Sequence, residues 1–391
     1  MIGFNKKIIK KKICFVLGSR ANYSSIKTVM TEFKKNLNFN IQIILFNSSI
    51  LDRYGDISEL LKNDKFLIKD KIFTLVEGEK PLTMAKSTGL GLIEISTCLN
   101  RISPDLVFVV GDRFETMATA ISSTYMNIPL AHTMGGEVTG TIDESIRHAL
   151  TKLSHLHFVA TKNSKIRVKK MGENPSNIFQ VGCPRIDFVK ETLELTKLNK
   201  DDIKDGVGYQ IDYDKPFIIF SYHPVTTEYV DIKNQIDLLL SCINDLDIQS
   251  IIIWPNADAG SGEIAKMIRI YRERGCLKKT KLFKNIPTQT YIHLLNKTKC
   301  IVGNSSSGIR EGNYIGVPCV NIGSRQHLRE RGKNVKDVGY NKKKIINAIK
   351  TQIKIGKYSR DFLYGDGKAG KKIVNILEKI KNIKVQKTIN Y

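Results

Sequence analysis

One repeated pattern limits the fold of this 391-residue chain more than any other feature. A short apolar run ends at glycine or a small polar turn, and a helix-like segment follows. Residues 12–17 end at Gly18-Ser19-Arg20, 106–110 at Gly111-Asp112-Arg113, and 178–181 at Gly182-Cys183-Pro184, while 128–132 lead to Gly135-Gly136-Glu137. The pattern restarts at 216–220, which run into Ser221-Tyr222-His223-Pro224, and continues through 248–254, 299–302 and 317–322. Apolar runs of this length closed by glycine read as buried strands. Strands alternating with helices require a parallel sheet covered on both faces. Between the two series, 197–215 is polar and poor in apolar pattern, and reads as a linker. The chain is also too long for one ordinary core. The expectation is therefore two α/β domains with a cleft between them.

Ligands bind outside the carboxyl ends of the strands in such sheets. Asp112, Glu137, Asp143 and Arg147 fall at strand ends or at a helix start, where they can meet over one pocket. Helix capping accounts for an acid at a helix start taken singly, but it does not account for all four together. Asp187 also sits just past a strand end. His223 ends a strand, precedes a proline that fixes the turn, and should face the cleft. Two turns suit an anion. The first, 18–25, joins a strand to a helix expected at 26–35, so that free N–H groups and the helix dipole face a ligand, with Arg20 adding a planar cationic fork. The second and better is Gly303-Asn304-Ser305-Ser306-Ser307-Gly308, where small residues admit a phosphate and hydroxyls donate to it. A serine-rich helix cap is the plainer alternative there. Arg325, past the next strand, can face the same phosphate, and Glu311 can accept from the hydroxyls of a ribose. Gly365-Asp366-Gly367-Lys368-Ala369-Gly370 formally matches a dinucleotide fingerprint, but no strand precedes it, so it reads as a turn before the last helix.

Sixty-two basic against 38 acidic residues give a formal charge of +24, a field that attracts anions. The lysines are scattered, and no nucleic-acid-binding signature accompanies them, so neither nucleic acid nor membrane is expected as a partner. Seven cysteines without a C-x-x-C argue against a disulfide framework or zinc site and for a reducing compartment. His155 and His157, on or beside a strand at 156–160, read as core histidines in the absence of a third ligand at metal spacing. The apolar run after the basic N-terminus is too short for a signal peptide, and nothing approaches the roughly 18 apolar residues of a membrane span. A cytoplasmic protein is expected.

Several segments together resemble the hydrolysing UDP-N-acetylglucosamine 2-epimerases, enzymes that initiate sialic acid-type sugar synthesis. They are Gly18-Ser19-Arg20-Ala21, Gly111-Asp112-Arg113-Phe114, Gly135-Gly136-Glu137-Val138, Ile142-Asp143-Glu144-Ser145-Ile146-Arg147-His148, His223-Pro224-Val225-Thr226-Thr227, Asn256-Ala257-Asp258-Ala259-Gly260-Ser261, Gly303-Asn304-Ser305-Ser306-Ser307-Gly308 and Asn321-Ile322-Gly323-Ser324-Arg325-Gln326. They occur in family order over about 310 residues. The resemblance implies a GT-B-like fold of two Rossmann-like domains with the active site between them. On that reading 1–196 form the sugar-side domain, rejoined by the final helix within 365–391, and 216–364 form the UDP-binding domain.

The resemblance also implies the chemistry. The C2 proton of the sugar is removed as UDP leaves C1, a 2-acetamidoglucal forms, and water adds to give N-acetylmannosamine. No cofactor or metal is implied. The partners are the nucleotide sugar and UDP, and relatives are commonly homodimers or homotetramers. Matched onto this sequence, Ser305, Ser306 and Arg325 would hold the diphosphate, with Arg20 and Arg113 facing the same cleft and Ser24 and Asn256 completing the substrate contacts. Glu311 would hold the ribose. Asp112, Glu137, Asp143 and Asp187 would be the acid–base set, Arg147 their orienting cation, and His223 a contact to the phosphate or leaving oxygen. Met134 departs from the pattern, since relatives often carry a glutamate or histidine there, which leaves Glu137 or Asp143 for the proton step. Ser25 stands where some relatives have a lysine. Close relatives also act on UDP- or GDP-linked N,N′-diacetylbacillosamine, a deoxygenated sugar that an apolar Met134 would suit. A GT-B glycosyltransferase and a basic nucleic-acid- or surface-binding protein are the competing classes.

Overall fold

A computed structural model describes residues 10–78, 80–255 and 259–390. The first sheet comprises β1 (Lys11–Leu17), β2 (Phe39–Phe46), β3 (Ile68–Ile72), β4 (Leu106–Val110), β5 (Leu130–Thr133), β6 (Leu156–Val159) and β7 (Ile178–Gln180). All its pairings are parallel, in the order β3-β2-β1-β4-β5-β6-β7. Helices α1 (Arg20–Lys35), α2 (Ser58–Asn63), α3 (Pro81–Ile102), α4 (Phe114–Tyr125), α5 (Asp143–Leu153), α6 (Lys162–Lys170) and α7 (Pro184–Leu195) connect its strands or follow them. Every residue of β4 is buried, as a strand covered on both faces requires. Phe108 stacks between Phe15 and Phe158, at centroid separations of 5.2 and 5.8 Å. Full burial of one such ring is worth about 1.5–3 kcal/mol.

The second sheet comprises β8 (Val207–Gly208), β9 (Phe217–Ser221), β10 (Gln249–Ile253), β11 (Thr280–Phe283), β12 (Cys300–Gly303), β13 (Cys319–Ile322) and β14 (Val335–Val338), in the order β14-β13-β12-β9-β10-β11-β8. Its helices are α8 (Ile232–Asp245), α9 (Ser261–Glu273), α10 (Thr288–Lys297), α11 (Glu311–Ile315) and α12 (Lys342–Ile355). The last helix, α13 (Ala369–Lys379), returns to the first domain and lies on α1 and α7. The contact is close: a Cβ on Gly370 would stand 3.1 Å from the Thr28 carbonyl.

Strand order reverses between β1 and β4 in one sheet and between β9 and β12 in the other. A reversal opens a crevice at the carboxyl ends of the strands. The Gly18, Gly111, His223 and Gly303 turns therefore lie at the two switch points, which is why the charged residues of both domains gather there.

Two expectations change. The 197–215 segment is not a free linker. β8 within it pairs antiparallel with β11, Ile203 and Ile211 are buried, and the Lys281 ammonium donates to the Ile203 carbonyl at 2.6 Å. Two buried isoleucines were enough to seat it, although its polar content masked them. Second, α1 begins at Arg20 rather than 26, because Ser19 caps it by accepting from the Asn22 amide at 3.3 Å. The Gly18 amide is likewise spent on the Asn22 side chain, at 3.1 Å. Fewer N–H groups are thus free at this turn than the sequence suggested.

Candidate active site

Arg147 lies one turn into α5 with its side chain fully buried. A buried guanidinium needs partners for its charge and its N–H groups. Its Nη2 pairs with Asp112 Oδ2, just past β4, and its Nη1 donates to the Glu137 carbonyl at 2.7 Å. Burial pushes the Asp112 carboxyl up. The guanidiniums of Arg147, then Arg329 and Arg310, outweigh it and hold the group at about 2. Beside it, His132 at the end of β5 sets its Nε2 2.8 Å from the Gly111 carbonyl. Burial lowers this imidazole to about 4, so it is neutral at physiological pH.

The loop carrying Glu137 depends on Gly136, at φ 73°, where a Cβ would meet the Ser164 carbonyl at 2.3 Å. Met134 precedes it in the left-handed region, at φ 64°. The Glu137 side chain is buried and is met from the second domain. Its Oε2 pairs with Arg310 Nη2 and lies 3.7 Å from Arg329 Nη2, while its buried Oε1 has no hydrogen-bond partner among the described residues. Burial raises this carboxyl, but Arg310, Arg329 and Arg147 more than offset that and lower it. Arg310 also directs Nη1 to Met134 Sδ at 3.4 Å, and its guanidinium lies over the Tyr364 ring at 6.0 Å. Buried Arg329 leaves Nε and Nη1 without a hydrogen-bond partner among the described residues, and burial lowers it to about 10, still charged at neutral pH. Three guanidiniums against two carboxylates leave this cluster cationic.

The two domains touch next to it. The Gly140 amide donates to the Arg325 carbonyl at 3.1 Å, and a Cβ on Gly140 would lie 1.9 Å from the Ser324 carbonyl. The serine turn borders this contact. Gly303 has φ 127°, and a Cβ there would strike the Ser221 carbonyl at 2.2 Å. Asn304 then locks β12 to the turn after β9, exchanging two 2.8 Å hydrogen bonds with the His223 backbone. Arg325 and Gln326 donate to the Asn304 carbonyl, at 3.1 and 2.9 Å. Ser305 Oγ lies 3.0 Å from Ser307 Oγ. Arg185 bridges the domains, pairing through Nε with Glu311 Oε1 and donating through Nη1 to Ser24 Oγ at 2.5 Å. Glu311 Oε2 is buried without a hydrogen-bond partner among the described residues. Arg20 crosses in the same region to the Ile286 carbonyl, at 2.7 Å.

The structure thus brings Asp112, Glu137 and Arg147 into one cluster. Ser305, Ser306, His223 and Arg325 gather around the serine turn, and Arg185 links Ser24 to Glu311. Asp143 lies half-buried in the first turn of α5. Arg113 Nε pairs with Glu115 at 2.6 Å. Asp187 departs from the expected acid–base set. Both its oxygens accept from the first amides of α13, Ala369 at 2.9 Å and Gly370 at 2.7 Å, and burial raises its carboxyl to about 6 despite those bonds. It fastens the returning helix. Asn256 lies outside the described residues. His155 and His157 are held by the Leu130 amide and Val385 carbonyl and by Glu173 respectively. Sequence reasoning gave no role to Arg185, Arg310 or Arg329. The only signal for them was that inward-facing carboxylates, Glu137 for Arg310 and Arg329 and Glu311 for Arg185, demand cations, and their source is invisible until the domains are docked.

Fold and cluster together define a two-domain, GT-B-like α/β protein whose cleft is lined by carboxylates of one sheet and guanidiniums of both. A family model described as UDP-N-acetylglucosamine 2-epimerase matches residues 31–378, and the chain belongs to this family. It is 34% identical to the hydrolysing UDP-N,N′-diacetylbacillosamine 2-epimerase of Legionella pneumophila, over 95% of this chain and 96% of that protein. It is 33% identical to the hydrolysing GDP/UDP-N,N′-diacetylbacillosamine 2-epimerase of Campylobacter jejuni, over 84% of each. The fold matches a crystal structure of Neisseria meningitidis UDP-GlcNAc 2-epimerase bound to UDP-GlcNAc, with a TM-score of 0.78, 19% identity, and coverage of 94% of this chain and all of that one. No helix among the described residues is long and apolar enough to cross a membrane.

Proposed function

We propose that this chain is a hydrolysing 2-epimerase that takes UDP-N,N′-diacetylbacillosamine to UDP and the free C2-inverted sugar. The observation that carries the reading is the state of Glu137: one oxygen is clamped by Arg310, and the other is buried beside a cationic cluster with no hydrogen-bond partner among the described residues. A weakly acidic C–H needs such a positioned base. Glu137 Oε1 takes the C2 proton, while Asp143, half-buried at the helix start, serves the proton step at the water-addition stage. The neighbouring guanidiniums keep Glu137 deprotonated but also weaken it as a base. The incoming diphosphate brings negative charge that offsets them and restores basicity. Ser305, Ser306, Arg325 and the turn at Gly303 receive the diphosphate, where charge develops as the C1–O bond breaks. Arg20, Arg113 and His223 support it, Ser24 and Glu311 hold the ribose side through Arg185, and Asn256 belongs to the same set by its motif. The glycal intermediate then takes water.

Two lines favour the bacillosamine sugar. The Legionella and Campylobacter relatives carry that activity in their names, and Met134 puts an apolar residue in the loop that carries Glu137, which suits a deoxygenated sugar. The sequence put UDP-N-acetylglucosamine first, as the start of sialic acid-type synthesis. That second reading is supported by the Neisseria structure bound to UDP-GlcNAc. Seven cysteines outside any disulfide suit a cytoplasmic setting. Purified protein, given either nucleotide sugar and water alone, should release UDP and free sugar, faster from the bacillosamine donor. Equal or faster turnover of UDP-N-acetylglucosamine would transfer the assignment to that sugar. UDP release only on adding an acceptor would make the protein a glycosyltransferase.

A further inference from the structure

We infer that Arg310, backed by Arg329, is a positioning residue that orients Glu137 across the cleft, so that its accepting oxygen is presented only when the two domains are apposed. The inference rests on the proposed role of Glu137 as the proton acceptor. Glu137 belongs to the loop after β5, whereas both arginines belong to the second domain, Arg310 at the start of α11 and Arg329 beyond β13. Arg310 is fixed on three sides: by Glu137 Oε2, by Met134 Sδ at 3.4 Å, and by the Tyr364 ring at 6.0 Å. A planar guanidinium held this way fixes the plane of the carboxylate it grips. With Oε2 taken, Oε1 is left to point elsewhere, and among the described residues it has no hydrogen-bond partner. Met134 acts here as a shelf for the guanidinium rather than as a proton carrier.

The other groups facing Glu137 are Arg147 from α5, which also holds Asp112, Cys183 beyond β7, and Tyr364 before α13. The two acids among them, the Cys183 thiol and the Tyr364 phenol, are pushed by burial above their ordinary values and stay neutral. Arg147 stays on Glu137's own domain when the domains separate. Opening the cleft therefore removes two of the three cations around Glu137, and with Arg310 the grip that fixes which of its oxygens is presented. Domain apposition thus sets the orientation of the base.

The test compares pH–rate profiles of wild type, Arg310→Gln, Arg310→Lys, Arg329→Gln, Glu137→Gln and the Arg310→Gln/Glu137→Gln double variant. Arg310→Gln should lower kcat at least 100-fold at neutral pH with KM within threefold, and should move the acidic limb of kcat up by at least one pH unit. Arg310→Lys keeps a charge and should hold the limb in place with a smaller loss. Arg329→Gln should move it the same way by less. The double variant should be no slower than Glu137→Gln alone, within threefold. An unmoved limb, or losses that multiply in the double variant, would overturn the inference. A second readout does not need turnover. The Glu137 carboxyl band in infrared difference spectra, identified by its loss in Glu137→Gln, should titrate at higher pH in Arg310→Gln, and an unchanged midpoint contradicts the inference. If wild type frees no UDP from either sugar, the functional reading fails, while the infrared titration still decides the positioning claim.

Discussion

Replacing Arg147 with methionine is the sharpest test of how the cluster is held together. Methionine keeps most of the length and apolar stem of the side chain but removes its charge and donors. Two groups lose their partner: the Asp112 carboxylate and the Glu137 carbonyl, which Arg147 reaches at 2.7 Å. Removing one member of a buried pair costs about 3–5 kcal/mol, because the other charge stays desolvated. Part of this can be checked separately. Lowering Asp112 from 3.8 to about 2 corresponds to about 2 kcal/mol at 1.36 kcal/mol per pH unit. Because the folded value is depressed, that contribution is complete above pH 4 and is lost as pH falls through 2. Hydrogen exchange measured by mass spectrometry over β4 and α5 reads the local opening energy, without assuming that both domains unfold together. The variant should open about 3–5 kcal/mol more easily at neutral pH, and the gap should narrow by about 2 kcal/mol near pH 2. A gap below about 1 kcal/mol at neutral pH, the size of an exposed ion pair, or one that does not narrow in acid, would refute the pairing.

Further outcomes follow from single contacts. Asp112→Asn and Asp143→Asn should each abolish UDP release while titration calorimetry shows UDP binding within about tenfold of wild type, the difference of about 1.4 kcal/mol expected if neither grips UDP. Arg325→Ala should weaken UDP binding by about 1.5–3 kcal/mol, the scale of a charge-assisted hydrogen bond. Gly140→Ala puts a methyl 1.9 Å from the Ser324 carbonyl and should part the domains, seen as a larger radius in small-angle scattering with turnover down at least about tenfold. Asp187→Asn should leave turnover within a few-fold but cost about 1 kcal/mol, as the loss of a helix cap does. The Asp187 carboxyl is raised by burial to about 6, so the native state binds the extra proton and wild-type stability should fall as pH rises from about 4 to 6. Thermal melts of the Asn variant should lack that slope.

The alternation of apolar runs and glycine turns was enough to read two parallel sheets, because buried strands and their punctuation are local properties. So was the placement of Asp112, Arg147, His223 and the serine turn, since the rule that ligands gather beyond strand ends needs only strand directions. What escaped was set by tertiary docking. Ile203 and Ile211 seat a polar-looking segment against the second sheet, and nothing nearby in sequence announces β11 as the partner of β8. Asp187 carries the same local signature as Asp112, an acid past a strand end, yet a helix 182 residues away takes both its oxygens. Arg310 stood next to Glu311 in plain view, but its partner is 173 residues upstream.

Incubating the protein with UDP-N,N′-diacetylbacillosamine in heavy water, then recording the NMR spectrum of the released sugar, tests the central claim most directly. Removal of the C2 proton by Glu137 and delivery of a solvent proton on water addition predict one deuterium at C2 with inverted configuration, alongside one equivalent of UDP, and loss of both products in Glu137→Gln. A released sugar that keeps its original C2 hydrogen and configuration would mean simple hydrolysis at C1 and would contradict the account.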